Sequence, residues 1–361
     1  MLETIVKKSP PEKWLIRISE AFVDLETEIF KSLGARPLKK LGLEYQLVQL
    51  ENAATLQHSE ASKFLRWNLP IQHSWPCNPK ETPGFIEKAA QALFEKFTSS
   101  NPQSILIGPI DPGASNPYYR TLASNLRGRT LQLFPASLSA TRDAEKQASE
   151  QPTLFCLLGR EGLFCGLQSP RASNGFYPGG TKYIRQNSTD TISRAGAKIA
   201  EALHYLHLHR EPPPEGGHWL ELGASPGGMT AELLTRGYQV TAVDRAPLDK
   251  RLNQSPGLTS VIADAAAFQP GKTTMYDAIL SDMNGDALHS IAHVVRLSKH
   301  LSKNGIVVFT LKLPGVTTFA EANALEASVM HSASGGGLRL FAKTHLTYNR
   351  HEFTLFFELE P

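Results

Sequence analysis

The chain has 361 residues, 41% hydrophobic and 20% charged, with a formal net charge of +3. That length suits two or three domains, and that composition excludes a disordered or fibrous chain. Three cysteines, Cys77, Cys156 and Cys165, make an odd count that argues against a disulfide framework and for a reducing, cytoplasmic location.

The opening "MLETIVKKSPPEKW" has no apolar core of a secretory signal. No apolar run nears the ~20 residues of a membrane helix, so no membrane partner is expected. "WLIRISEAFVDLETEIFKSLG" starts like a strand and continues as an amphipathic helix, and "LEYQLVQLE" alternates like a strand. These place an α+β (ferredoxin-like) domain over residues 1–75. Prolines at 70, 76, 79 and 83 then mark a boundary. A second domain over 76–175 has a helix at "FIEKAAQALFEKF" and strands at "QSILIGPI", "PTLFCLLG" and "LFCGLQ". "SPRASNGFYPGGTKYIRQNS" is rich in turn residues and reads as a linker.

The third domain, 185–361, alternates helices and strands. A helix covers "SRAGAKIAEALHYLHL", and strands are expected at "WLELGA", "QVTAVD", "TSVIAD", "YDAILSD" and "GIVVFTLKL". This is the α/β pattern of a mostly parallel sheet. "LRLFAKTHLT" and "HEFTLFFELE" follow each other without a helix, so one of them runs antiparallel.

In such a sheet, ligands sit beyond the carboxyl ends of the strands. Gly223 ends the first strand, and Gly227 and Gly228 open the next helix, where a missing Cβ lets a ligand approach the backbone. Asp244 ends the second strand 21 residues on (244 − 223), the spacing at which a carboxylate meets ribose hydroxyls. Asp264 ends the third strand, within reach of an adenine edge. A pyrophosphate wants clustered N–H groups at a helix start, and Pro226 removes one. S-adenosylmethionine carries no phosphate and loses nothing, so it is the expected cofactor. A plain strand-to-helix turn would need the glycines but not the two acids.

"SRAGAKIAEAL", "LELGASPGGMT", "LSDM", "FTLKLP" and "NRHEFTL" resemble the successive motifs of the FtsJ group of RNA 2'-O-ribose methyltransferases. Within that group the chain is most similar to the bacterial large-subunit rRNA (cytidine-2'-O-)-methyltransferases of the M type. The resemblance implies a Rossmann-like methyltransferase domain, preceded over 76–175 by a THUMP-like RNA-binding region, with large-subunit rRNA as the expected partner; the alternatives are transfer RNA or another RNA as substrate, or a non-catalytic RNA-binding relative. It places a catalytic Lys-Asp-Lys-Glu set on Lys198, Asp282, Lys312 and Glu352. It also places S-adenosylmethionine against Ser193, Gly223, Ser225, Pro226, Gly227, Gly228, Asp244, Asp264 and Asp282. Ser225 and Met229 depart from the Cys and Trp usual in the M type.

A ribose hydroxyl is a poor acid and needs help to attack a methyl group. Lys312 follows the apolar "GIVVFT", where a solvated lysine is out of place. Burial and a second cation, Lys198, would both make its amine a better base. Lys312 is therefore the expected general base, with the other three positioning it. Asp282 at a strand end could equally cap a helix, and Lys198 on an amphipathic helix reads as a surface lysine until the motif singles it out. His204, His207 and His209 lack partners at ligand spacing, so no metal is expected. Arg160, Arg171, Lys182, Arg185 and Arg194 are either a solvated face or an RNA-contacting seam.

Overall fold

The computed structural model describes residues 12–360 except 112, 114–115, 136–143, 145–146 and 185–190. The chain divides into two compact units, residues 1–181 and 182–361.

The first unit holds two four-stranded sheets. The chain runs β1 (Glu12–Ile18), α1 (Glu26–Leu33), β2 (Ala35–Leu41), β3 (Tyr45–Leu50), a single turn α2 (Thr55–His58) and β4 (Leu65–Pro70). The strands pair antiparallel in the order β2-β3-β1-β4. This is the order in which a β-α-β-β-α-β chain closes one sheet. Leu15 and Ile16 of the central β1 are fully buried, whereas edge strand β2 ("ARPLKKL") faces solvent along most of its length. That absence of an apolar face is why β2 carries no strand signal in the sequence.

The second sheet takes β5 (His73–Trp75), β6 (Ser104–Pro109), β7 (Thr153–Gly159) and β8 (Gly162–Gln168) in the order β5-β8-β7-β6. Only the β6–β7 pair is parallel. Helices α3 (Phe85–Phe97) and α4 (Tyr118–Leu133) pack on it through Phe85, Ala89, Leu93, Leu126 and Phe134. Cys156 and Cys165 are cross-strand partners and fully buried, small apolar residues of this core.

The stretch expected as a linker corrects the sequence reading. Through residue 181 it folds onto the first unit, forming the single turn α5 (Pro170–Ser173) and burying Phe176. Asn174 Nδ2 donates to the Leu65 carbonyl at 3.0 Å, and Arg17 Nη1 donates to the Gly179 carbonyl at 2.7 Å. Arg17 and Arg66 are themselves held by Glu44, at 2.6 and 2.7 Å. Proline and glycine specify turns, and the composition does not reveal whether those turns are packed.

The second unit opens with α6 (Gly196–Leu206), β9 (His218–Leu222), α7 (Gly228–Thr235), β10 (Gln239–Asp244), β11 (Leu258–Ile262) and β12 (Tyr276–Ser281). It continues through α8 (Ala287–Ser298), β13 (Leu301–Lys312), α9 (Phe319–Gly335), β14 (Leu338–Thr344) and β15 (Glu352–Leu359). The seven strands lie in the order β11-β10-β9-β12-β13-β15-β14. The first five are parallel, and β15 runs antiparallel to both of its neighbours, as expected of one of the last two strands. The architecture is the Rossmann-like one, with helices packed in the pairs α6–α7 and α8–α9. Trp219, Leu220, Ile279, Val307, Phe309 and Phe356 are buried in the middle of the sheet. Strand order reverses between β9 and β12, which opens a crevice above their carboxyl ends.

Candidate active site

The crevice contains a cleft of about 390 Å³, lined among others by Gly223, Ser225, Asp244, Asp264, Asp282 and Asp286. Its two strand-end acids are built alike. Asp244 accepts from the Ser225 N–H at 3.0 Å and the Ala246 N–H at 2.8 Å. Asp264 accepts from the Ala266 N–H at 2.8 Å. Backbone donors thus fix each carboxylate, and Arg245, also in the cleft lining, lies 3.8 Å from the other oxygen of Asp264. Four carboxylates around one cleft suit a nucleoside bearing a positive charge and repel a pyrophosphate.

Among the glycines, Gly223 sits at φ +82°, and a Cβ there would come within 2.9 Å of the Met283 backbone, itself part of the cleft wall. Gly227 and Gly228 are used differently. The space above Gly227 is filled by Leu252, and that above Gly228 by the Ser193 hydroxyl. Their missing side chains serve packing within the chain. Pro226 lies behind the turn, where its carbonyl accepts from the Asp249 N–H at 2.9 Å. Gly223 and Ser225 line the cleft directly, while Ser193, Pro226, Gly227 and Gly228 support it from behind. The acidic lining of this cleft fits the positively charged S-adenosylmethionine.

The four charged residues singled out by the motif come together around Asp282, which itself lines this cleft. Strand direction explains why. Lys312 is the last residue of β13 and Glu352 the first of antiparallel β15, and the two are register partners. The reversed strand thus brings its first residue to the edge where the parallel strands end. Asp282 follows β12, and Lys198 comes from the first turn of α6. The Lys198 amine lies 2.6 Å from Glu352 Oε1 and 3.4 Å from Asp282 Oδ2. Lys312 Nζ lies 3.3 Å from Asp282 Oδ1 and donates to the Asp282 carbonyl at 2.8 Å. It also donates to Asn284 Oδ1 at 2.7 Å.

Asp282 therefore bridges both amines. The second cation expected beside Lys312 thus comes with a carboxylate placed against both amines. For Lys198, burial alone would lower the pKa, but the Asp282 and Glu352 carboxylates outweigh it and raise it. Lys198 stays cationic at neutral pH and is a donor.

Several residues that hold this cluster escaped the sequence reading. Asn284 completes the Lys312 acceptors. Asn349, buried, donates through Nδ2 to Glu352 Oε1 at 3.1 Å while its Oδ1 accepts from the Leu346 N–H and the Thr354 hydroxyl. Glu201, one turn beyond Lys198, accepts the N–H groups of Thr347 and Tyr348 at 3.0 and 3.1 Å and so fastens the loop before Glu352 to α6. Glu221, buried on β9, accepts from the Thr230 hydroxyl at 2.6 Å. Burial pushes its pKa up to about 8. Spacing gives no signal for Glu201 or Asn349, because their partners are formed only by the return of the chain. Glu221 alone leaves a signal that could have found it, an acid inside an apolar strand.

Of the basic stretch, Arg171 pairs with Glu150 at 3.4 Å, and Arg185 lies outside the described residues. His207 pairs with Glu211 at 3.2 Å. Among the described residues no group of three or more His, Cys, Asp and Glu is placed to hold a metal ion, and no helix is long and apolar enough to cross a membrane.

"Ribosomal RNA large subunit methyltransferase M" of Shewanella loihica is 26% identical over 251 residues, covering 67% of this chain and 67% of its own. The protein of the same name from Halorhodospira halophila is 36% identical over 138 residues, 38% of this chain and 40% of its own. The matches thus span about two thirds or less of these relatives' lengths. Among solved structures, TrmN from Thermus thermophilus is 16% identical with a TM-score of 0.38, covering 96% of this chain and 99% of that one. Aeropyrum pernix fibrillarin with bound S-adenosyl-L-methionine is 15% identical with a TM-score of 0.35, covering 59% and 84%. The model of the FtsJ-like methyltransferase family matches residues 191–316. That segment begins just before α6 and ends just after Lys312, so the stretch of the C-terminal unit that is similar to the FtsJ-like methyltransferases takes in the whole glycine turn and three of the four clustered charges.

Proposed function

We propose that the chain is an S-adenosylmethionine-dependent RNA 2'-O-ribose methyltransferase that acts in the cytoplasm on large-subunit rRNA, at a cytidine. The observation that carries this reading is the Asp282 bridge, which holds two lysines where the acidic cleft meets the Lys198–Glu352 pair. Bound S-adenosylmethionine supplies an electrophilic methyl group on a sulfonium. Asp244 and Asp264 would hold its nucleoside, and Asp282 would face its charge. Lys198, fixed by Glu352 and kept cationic, orients the ribose hydroxyl and stabilises negative charge growing on its oxygen. Lys312, once its amine has shed its own proton and is neutral, would take the proton of the ribose hydroxyl. Alignment of a single in-line displacement is then the main task left to the site.

The first unit is assigned to RNA binding, with a ferredoxin-like part over 1–75 and a THUMP-like part over 76–175. The relatives' name supports the rRNA assignment. The test is a map of ribose methylation across all cellular RNA with and without the gene. One 2'-O-methyl group missing from large-subunit rRNA is the expected result. A missing group on transfer RNA would reassign the substrate, and an unchanged map would overturn the proposal.

A further inference from the structure

Lys198 and Glu352 also line a second cleft of about 490 Å³, separate in lining from the acidic one. Its remaining walls include Arg194, Thr347, Tyr348 and Arg350. Lys198 and Glu352 are largely buried, whereas Arg194 and Arg350 are exposed, so the lysine–glutamate pair forms the floor and the arginines the rim. Among the described residues neither guanidinium has a hydrogen-bonded or ion-paired partner. Other arginines of this unit do: Arg210 lies 3.0 Å from Glu358, Arg236 2.8 Å from Glu232 and Arg251 2.8 Å from Asp249.

The two free arginines start from fixed points. Arg194 lies two residues before α6, and Arg350 lies two residues before β15 in the loop that Glu201 and Asn349 fasten. The charge of the two clefts is opposite: carboxylates surround the first, and unpaired guanidinium groups frame the second. A planar guanidinium grips a phosphate through two parallel hydrogen bonds. In an RNA strand a phosphodiester leaves the carbon next to the one bearing the 2'-hydroxyl. A ribose whose hydroxyl reaches Lys198 from this side therefore carries its own phosphates past the rim.

We infer that Arg194 and Arg350 form a two-point clamp for the phosphodiesters flanking the reacting ribose, and that the strand enters through this second cleft. The inference rests on the methyltransferase reading for what lies at the floor, but the clamp can be tested without it. The full chain and its Arg194→Gln, Arg350→Gln and doubly substituted forms are titrated with a fluorescein-labelled 12-nucleotide oligouridylate over a range of salt. Each single-strand phosphate contact contributes about 0.7 to the slope of log K against log salt, so the double variant should lose about 1.4. Its affinity should fall about tenfold or more, with S-adenosylmethionine binding unchanged. In methyl transfer to total RNA from cells lacking the gene, KM should rise at least about tenfold while kcat stays within about threefold. Wild-type protein that binds the oligonucleotide no better than the double variant, with the same salt slope, overturns the clamp. Wild-type protein that binds through these arginines yet methylates no RNA keeps the clamp and removes the ribose-methyltransferase reading.

Discussion

Glu352 Oε1 receives two donors, the Lys198 amine and the Asn349 amide, and that shared oxygen sets where Lys198 points. The four motif residues were legible because of their resemblance to a known set, and Lys312 also because a lysine is out of place in an apolar strand. Asn349 and Glu201 were not, since each acts on a segment that only folding brings near. Asn349→Asp should separate positioning from mere loop stability. It keeps the oxygen that accepts from Leu346 and Thr354 but sets a second carboxylate against Glu352. Repulsion between the two carboxylates should loosen the hold of Glu352 on Lys198, with kcat at neutral pH down about tenfold and cofactor affinity and RNA KM unchanged. A kcat that stays at the parent value would show that Asn349 only holds the loop.

At the scale of elements, the parallel strands were plain from their apolar runs, and their parallel pairing followed from the alternation with helices, whereas their order was not read from the sequence. The edge strand β2 and the helices α4 and α9 were missed. Helix α9 has few large apolar residues, and its start is marked only by the Thr318–Glu321 capping box. Strand β9 carries a liability in Glu221, which its surroundings hold protonated up to about pH 8 from an ordinary 4.5. The folded state thus keeps a proton that the unfolded chain releases above about 4.5, so this group's contribution falls as pH rises through that window and levels off above about 8. Glu221→Gln removes the titration while preserving the acceptor for Thr230. Without cofactor, the variant should gain stability over the parent by up to about 1.4 kcal/mol per pH unit between about 5 and 8. Urea unfolding of the C-terminal unit at a series of pH values reads this directly. A difference that does not change with pH would mean Glu221 ionises normally in its site.

Across the whole molecule, both clefts and every charged residue of the cluster belong to the unit that starts at Lys182. The domain boundary was visible in composition only to within the stretch that turned out to be packed on the first unit. A chain of residues 182–361 should bind S-adenosylmethionine within a few-fold of the full protein. If the first unit supplies phosphate contacts, its removal should raise the RNA KM about tenfold or more and flatten the salt dependence of RNA binding. Equal RNA methylation by the short chain would take RNA binding away from the first unit. The central claim is that this site moves a methyl group to a ribose oxygen with Lys312 as proton acceptor. RNA from cells lacking the gene is treated with the full protein and isotopically labelled S-adenosylmethionine, digested to nucleosides and analysed by mass spectrometry. The account predicts label in a 2'-O-methyl nucleoside, reduced about 10²- to 10⁴-fold by Lys312→Ala with cofactor affinity retained. Label in a base-methylated nucleoside, or transfer undiminished in the Lys312→Ala protein, would contradict it.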